Sequence, residues 1–207
     1  MTLSLIIIVL LLVVWSLWGY FSSRVEQTAY TVLKEMGGYE IRHYAAHLVA
    51  QTTVRAPYRQ ALSEGFRIVA GYIFGGNEKK EKISMTAPVI EQKSGGQSIA
   101  MTAPVTANIE GDSHTISFGM PRSYILATLP TPTDPRVKLV EVPPRNMAAK
   151  RFSLWRTDAR VQSTKETLLA MLDHDNVKVV GTPYYAGYNA PWTPPWMMHN
   201  EVLVEVA

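Results

Sequence analysis

Residues 39–74 read YEIRHYAAHLVAQTTVRAPYRQALSEGFRIVAGYIF, and the hydrophobic period changes within this stretch. Residues 39–43 alternate between two faces, and residues 47–54 are rich in valine and threonine, so both segments are predicted to be strands. From residue 58 the apolar positions follow helical spacings, which predicts a helix that ends at the glycines after residue 74. The apolar stripe of this helix is formed by Leu62, Phe66, Val69 and Ile73.

The second half of the chain repeats the same order of elements. Residues 147–155 are predicted to form a strand, residues 158–173 a helix, and residues 177–180 with 184–185, and then 201–206, further strands. Ser163 and Glu166 have the spacing of a capping box, which predicts a late start or an irregularity in this helix. Each half therefore follows the order strand–helix–strand–strand. Two such units predict an α+β domain in which two helices pack against a curved antiparallel sheet.

A seven-residue motif occurs twice between the two halves. ISMTAPV at residues 83–89 returns as IAMTAPV at residues 99–105, and the turn sequence SGGQ lies between the copies at residues 94–97. This pattern predicts two strands joined as a hairpin. The prolines favour an edge or a bulge, because proline cannot donate a backbone hydrogen bond. A further strand is predicted at residues 115–120.

The N-terminus carries an uncharged apolar run, LSLIIIVLLLVVWSLWGYF, at residues 3–21. As a helix it would span about 28 Å, close to the thickness of a bilayer's hydrocarbon core. The run lacks a basic N-terminal flank and a convincing cleavage site, so an uncleaved anchor is favoured over a cleaved signal peptide. We therefore assign residues 1–21 to a transmembrane anchor, residues 22–36 to a juxtamembrane connector and residues 37–207 to the folded domain.

The orientation of the anchor is weakly specified by the sequence. Arg24 and Lys34 follow the span and favour a cytoplasmic domain by the positive-inside rule. A very short N-terminal tail followed by a folded domain is the layout of an exported signal-anchor protein. We expect a single-pass membrane protein whose domain is periplasmic or otherwise extracytoplasmic.

Composition excludes several classes of function. The chain has 207 residues, with 20 basic and 17 acidic residues, and it contains no cysteine. A net charge of +3 without a dense basic cluster argues against nucleic-acid binding. The absence of cysteine excludes disulfides, thiolate zinc sites and cysteine nucleophiles. The sequence also lacks the G-x-S-x-G, P-loop, G-x-G-x-x-G and H-E-x-x-H motifs, so no catalytic residue is predicted.

Two groups of residues could ligate a metal. His43 and His47 are four residues apart, but on a strand this spacing is about 13 Å, too far for one ion. A histidine on a strand is usually half-buried and hydrogen-bonded, and the alternative for His43 is an axial ligand to haem iron. Met197, Met198 and His199 follow a loop rich in proline and tryptophan. They form either a packed hydrophobic loop, the rim of an apolar ligand site or a weak copper(I) site.

Three motifs together resemble the SOUL haem-binding protein family. They are GYEIRHY at residues 38–44, NEKKEKISMTAPV at residues 77–89 and YYAGYNAP at residues 184–191, and the resemblance covers residues 29–206. It implies two β-α-β-β-type repeats that form a distorted antiparallel β-barrel flanked by two helices. It also implies non-covalent binding of haem b or free porphyrin, and the anchor makes this chain similar to a membrane-anchored, bacterial-type member.

The resemblance also implies where the ligand lies. His43 matches the histidine proposed as axial ligand in some members of the family, and the porphyrin is placed near the first helix and the loop before the last strand. In this chain those segments are residues 58–74 and 190–200, and the second contains Met197, Met198 and His199. The two propionates of a haem need cations at the rim of its site, and Arg59 and Arg67 on the first helix are candidates.

We therefore expect a tetrapyrrole carrier or buffer held at a membrane, with a tetrapyrrole as ligand and no nucleic acid as partner. Protein partners are not predicted by the sequence. A rival hypothesis is an enzyme that removes or inserts the iron of a tetrapyrrole, with His43 or His199 moving protons. A second rival is an effector-binding module for another bulky apolar ligand, because the family's fold is similar to that of bacterial effector-binding domains.

Overall fold

The computed structural model describes residues 2–22, 25–93, 113–190 and 192–207. The described residues form three α-helices, namely α1 (Thr2–Ser22), α2 (Tyr58–Ile73) and α3 (Asp158–His174), together with a short 3-10 helix at Pro195–Met197. They also form eleven strands. These are β1 (Glu26–Gln27), β2 (Tyr30–Met36), β3 (Tyr39–Tyr44), β4 (His47–Arg55), β5 (Thr86–Ala87), β6 (Val89–Lys93), β7 (Ser113–Gly119), β8 (Lys138–Val142), β9 (Arg145–Phe152), β10 (Tyr184–Gly187) and β11 (Asn200–Val206).

Nine of these strands form one antiparallel sheet in the order β2-β3-β9-β11-β10-β6-β7-β4-β8. Within the described residues the order is open, with β2 and β8 at the two edges, so the sheet curls into a half-barrel. The two short strands β1 and β5 pair in parallel beside it. The predicted α+β class with an antiparallel sheet and flanking helices is confirmed.

The sheet is built from the two predicted repeats. The first is β4-α2-β6-β7 and the second is β9-α3-β10-β11. In each repeat the strand before the helix pairs with the last strand, β4 with β7 and β9 with β11. The middle strands β6 and β10 pair with each other and join the repeats. The sheet is therefore two-fold in its layout, with the β6–β10 pair at its centre.

Several sequence predictions are revised or fall outside the described residues. The second copy of the seven-residue motif and the turn at residues 94–97 lie outside them, whereas the first copy contributes β5 and the start of β6. Strands β2 and β8 were not predicted. The predicted late start of α3 is wrong, because the Thr157 side chain accepts a hydrogen bond from the backbone N–H of Arg160 at 3.2 Å and caps a helix that begins at Asp158.

Both helices lie on the same face of the sheet. Cross-strand partners share a face, and the register pairs Ile116 with Glu91, Glu91 with Tyr185, and Tyr185 with Val202. Ile116 belongs to the core under α2, and Val202 belongs to the core under α3. The helices therefore cover one continuous surface, on which α2 packs against β4 and β7 while α3 packs against β9 and β11.

Helix α1 is almost entirely exposed. Its segment Ser4–Phe21 has a mean hydropathy of 2.4 and only 6% of it is buried within the protein. The helix is therefore long and apolar enough to be a membrane anchor or a signal sequence. Its second half contacts the 3-10 helix at residues 195–197.

Candidate functional site

The strand order implies a groove between α2 and α3 on the helical face of the sheet. The two helices cover strand pairs that are separated by β10 and β6, so their axes are about 19 Å apart along the sheet, at about 4.8 Å per strand. A helix with its side chains is about 10 Å wide. A gap of about 9 Å therefore remains, and we call it the interhelical groove, with β6 and β10 as its floor.

An apolar line on α2 forms one wall of the interhelical groove. Tyr58 contacts His114 edge-on at 5.3 Å between ring centroids, and Phe66 contacts Phe118 at 5.2 Å. His114 and Phe118 both lie on β7, the strand on the groove side of α2. Since Leu62 is one turn from each of the two aromatics, the three side chains line the same side of the helix. Phe66 is 41% exposed, so this wall is available to a ligand.

The floor of the interhelical groove carries a buried polar pair. Glu91 on β6 and His114 on β7 are 5% and 4% exposed, and Glu91 Oε1 lies 3.1 Å from His114 Nδ1. The other ring nitrogen, His114 Nε2, is buried and has no hydrogen-bond partner among the described residues. A carboxylate that holds one imidazole nitrogen while the other is free is the arrangement that orients a metal-ligating histidine.

Two cations stand beside this pair. The guanidinium carbon of Arg156 lies 4.4 Å from the ring centroid of Tyr58 and 5.1 Å from that of Tyr185, so it spans the groove from α2 to β10. Its Nε is buried without a hydrogen-bond partner in the part of the chain that the structure describes, and its Nη2 lies 3.5 Å from Asp158. Burial lowers the pKa of Lys165 on α3, and the Glu91 carboxylate partly offsets this effect.

A second buried polar network lies on the opposite face of the sheet. Arg42 on β3 donates to both carboxylate oxygens of Glu201 on β11, at 2.8 and 2.9 Å, and its Nε donates to Glu40 at 2.7 Å. Tyr188 donates to Glu201 at 2.6 Å, and His199 Nε2 lies 2.8 Å from the same carboxylate. Glu201 is fully buried and yet takes part in four hydrogen bonds with three polar residues, so its charge is compensated.

The electrostatics of this network favour an ionised Glu201. Burial alone would raise the pKa of Glu201, but the hydrogen bonds from His199 and Arg42 outweigh it and lower the pKa to about 2. Burial and the nearby Glu201 charge raise the pKa of Tyr188 well above its ordinary value. A cavity of about 350 Å³ opens beside the network. Because polar and charged side chains line most of it, it suits a small polar ligand better than a flat apolar ring.

The structure separates His43 from the interhelical groove. His43 is exposed on β3 and its Nδ1 lies 2.9 Å from Asn146 Oδ1, its cross-strand partner. Strand β3 is three positions from β10, the nearer strand of the groove floor, which is about 14 Å along the sheet, and α3 covers β9 and β11 between them. A ligand in the groove would therefore not reach His43.

The other predicted site residues are divided between two faces. Arg59 and Arg67 are exposed on α2. Met198 is buried in the loop before β11, Met197 is partly exposed, and His199 points to Glu201 on the face without helices. The loop and the start of α2 meet at one end of the domain, since the backbone N–H of Leu154 donates to Pro195 and Arg156 contacts Tyr58. Among the described residues no group of three or more histidine, aspartate or glutamate side chains could hold a metal ion.

Sequence reasoning missed Glu91, His114 and Arg156. The alternation of His114 with Ile116 and Phe118 on one strand face was a usable signal, because it predicts an inward-facing histidine in the core. Glu91 offers the same signal, two residues after Val89. For Arg156 no local pattern existed, because its position depends on how the two repeats pair.

The chain is similar in sequence to one protein family and to two proteins whose names agree with that family. Residues 25–205 match the model of a family described as "SOUL heme-binding protein". The chain is 29% identical over 157 residues to "Heme-binding protein 2" of Homo sapiens and 30% identical over 161 residues to the Mus musculus protein of the same name. Both alignments cover 75% of this chain and 72% of the relative.

Solved structures of low sequence identity share the fold. The C-terminal domain of EcmrR superposes with a TM-score of 0.59 at 8% identity, covering 86% of this chain and 98% of that domain. An uncharacterized conserved protein from Listeria innocua gives a TM-score of 0.53 at 11% identity, covering 82% of this chain and 92% of its own. At these identities the likeness concerns the fold alone.

Proposed function

The chain belongs to the SOUL heme-binding protein family, and on that premise we propose that its domain binds haem or a metal-free porphyrin non-covalently and acts as a tetrapyrrole carrier or buffer at a membrane. The membrane role rests on the apolar helix α1, which is long enough to span a bilayer. The relatives named as heme-binding proteins support the choice of ligand.

The interhelical groove is the observation that carries the proposal. A porphyrin needs a flat apolar slot, and the line of Tyr58, Leu62 and Phe66 offers aromatic and aliphatic area along one wall. Its propionates need cations, and Arg156 and Lys165 stand at the opposite side. Arg59 and Arg67, exposed on α2, remain candidates for the same role at the rim.

The chemistry of the groove also fits an iron centre. His114 has a buried Nε2 without a hydrogen-bond partner among the described residues, and Glu91 fixes the other ring nitrogen. When bound, haem supplies an iron that takes an imidazole as axial ligand. We assign that position to His114 for a ligand in the groove, and the sequence-based assignment to His43 is its direct competitor. Met197, Met198 and His199 are the next ligands to test.

The proposal is tested by titrating the full chain with haemin and with metal-free porphyrin, followed by absorbance. Burying a phenyl side chain contributes about 1.5–3 kcal/mol, so Phe66→Ala should weaken both ligands about tenfold. Phe74→Ala is the matched control, because Phe74 is another exposed phenylalanine and lies just beyond the C-terminal end of α2. Equal affinities of both variants and the wild type would remove the groove as the site.

Histidine variants separate ligation from ring burial. His114→Ala should shift the Soret band of the ferric haem complex and weaken that complex, while metal-free porphyrin binds almost as before because it has no iron. If His43 is the ligand instead, His43→Ala alone should produce these changes. A loss of both ligands in His114→Ala, together with a lower free energy of unfolding, would assign His114 a structural role.

The same titration distinguishes the rival functions. A Soret band that stays constant for hours supports a carrier or buffer. A spectrum that evolves into that of another tetrapyrrole would indicate an enzyme that inserts or removes iron. No spectral response to either ligand would favour an effector-binding module.

A further inference from the structure

A set of exposed apolar residues, most of them aromatic, lies beside the C-terminal half of α1. Trp192 and Trp196 belong to the loop before β11 and are 59% and 51% exposed, and Leu154 and Trp155 after β9 are 46% and 54% exposed. The two loops touch, because the backbone N–H of Leu154 donates to the carbonyl of Pro195 at 3.1 Å. We call these four side chains the collar.

The collar is fixed to α1 by specific contacts. Trp15 Nε1 donates to the backbone carbonyl of Trp192 at 2.9 Å, and the Trp15 ring meets the Trp196 ring edge-on at 5.3 Å. One turn further along the helix, Gly19 lies so close to Pro194 that a Cβ at this position would be 2.5 Å from the proline Cδ. The approach of loop and helix therefore requires a glycine at this position.

We propose that the collar is a membrane-docking surface that inserts into the interfacial layer of the same bilayer that α1 spans. The contacts begin at Trp15, seven residues or about 10 Å before the end of the helix at Ser22. A helix that enters the bilayer over Ser4–Phe21 must carry the attached loops with it over this length. The proposal depends on the membrane anchor and does not require that the groove bind a tetrapyrrole.

The chemistry of the collar fits the membrane interface. The chain has five tryptophans, and all of them lie in α1 or in the collar: Trp15, Trp18, Trp155, Trp192 and Trp196. Tryptophan is enriched at the level of lipid headgroups because its ring is apolar and its N–H is polar. An exposed apolar patch of this kind on a soluble surface would be an aggregation hazard, whereas at a bilayer it is buried.

The backbone of the Trp192 loop is also suited to a medium of low polarity. Prolines at positions 191, 194 and 195 have no N–H group to leave unsatisfied. The backbone N–H groups of Thr193, Met197 and Met198 donate to carbonyls within the same loop. The loop can therefore enter the membrane interface without exposing many unpaired backbone N–H groups to lipid.

Native tryptophan fluorescence of the full chain in phosphatidylcholine–phosphatidylglycerol vesicles tests the proposal, with lipids brominated at shallow acyl positions as quenchers. The variant W15F/W18F reports on the collar alone, and the variant W155F/W192F/W196F reports on the helix alone. We expect brominated lipid to quench both variants. Quenching of the helix variant without quenching of the collar variant would overturn the proposal, and no quenching of either would overturn the anchor as well.

A second measurement leaves Trp15 and its contacts intact. Because the chain has no cysteine, single-cysteine variants can be labelled with an environment-sensitive fluorophore without background. The label in Trp155→Cys should emit at shorter wavelength and respond to lipid quenchers, whereas the label in Phe74→Cys, about 24 Å along α2 from Tyr58, should stay in water. Emission at Trp155→Cys that shifts only at high protein concentration would indicate a contact between copies of the chain and overturn the proposal. Haemin titration of the same vesicles reports on the groove independently.

Discussion

At the scale of single residues, Glu201 is the group in the sheet that depends most on its hydrogen-bond partners. A fully buried carboxylate is costly unless its charge is compensated, and here Arg42, His199 and Tyr188 compensate it together. The network links β3 to β11 across β9, so it joins the strand next to the edge of the sheet to the last strand of the chain. Removing one member should therefore destabilise the whole second repeat.

Glu201→Gln should lower the free energy of unfolding by about 3–5 kcal/mol at neutral pH, because it leaves the buried Arg42 with only the part-exposed Glu40 carboxylate as a counter-charge. Since the folded pKa of Glu201 is about 2 against an ordinary 4.5, this stabilisation is complete above pH 4.5 and is lost as the pH falls towards 2. Denaturant unfolding at several pH values measures it. Glu205→Gln is the control, because Glu205 is exposed and its pair with Arg145 spans 3.9 Å, so it should lose less than about 1 kcal/mol.

The same network contains a contact that the sequence alone does not predict. Alternation on a strand predicts that position 42 and position 44 share a face, and this was correct for β3. It does not predict that Arg42 meets Glu201, 159 residues away, because that contact depends on which strands pair. His43, the next residue, lies on the other face and is exposed. Its motif had made it the first candidate for a haem ligand.

At the scale of elements, the close packing of α2 against β7 depends on the glycine at position 65. Gly65 faces Ile116, and a Cβ at this position would lie 2.6 Å from Ile116 Cδ1 and 3.1 Å from Ile116 Cβ. Gly71, on the same helix, has nothing within 4 Å of such an atom. The pair therefore separates a packing requirement from the ordinary helix propensity of glycine.

Gly65→Ala should destabilise the domain by about 1 kcal/mol, because overpacking costs about 1–3 kcal/mol and the gain in helix propensity returns about 1 kcal/mol. Gly71→Ala should stabilise the domain by up to about 1 kcal/mol, since it gains propensity without a clash. Thermal unfolding of the two variants provides the comparison. Stabilisation by both substitutions would show that Ile116 moves aside and that the close approach is not required.

The sequence predicted the helices and the central strands better than the edge strands of the sheet and the first residue of α3. Both helices and most strands of the two repeats were predicted, because long segments of regular period carry a strong signal, but β6 begins only at the last residue of the predicted strand at residues 83–89. Strand β2 was missed, since its exposed residues show little alternation of burial and its partner β3 defines it. The capping-box spacing at Ser163 was misleading because Thr157, four residues before the first buried residue Val161, already caps the helix.

At the scale of the whole molecule, α1 is in direct contact with the domain in the described structure. The helix does not simply precede the domain, because its second half contacts the last loop of the sheet. Arg156, which spans the interhelical groove, follows directly after Trp155 of the collar. In our proposal the mouth of the groove therefore opens next to the lipid surface, where an apolar tetrapyrrole partitions.

The anchor itself is tested by fractionation of the full-length protein. We expect it to sediment with membranes and to resist extraction by high salt and alkaline carbonate, because an 18-residue span of mean hydropathy 2.4 is held by burial in lipid and not by charge. Deleting residues 1–23 should release a folded domain that no longer requires detergent for extraction. Recovery of the native product in the soluble fraction with an N-terminus beyond residue 21 would instead identify α1 as a cleaved signal sequence. In that case the collar would face water in the mature protein, and the proposed role at a membrane would fail while tetrapyrrole binding in the groove could still hold.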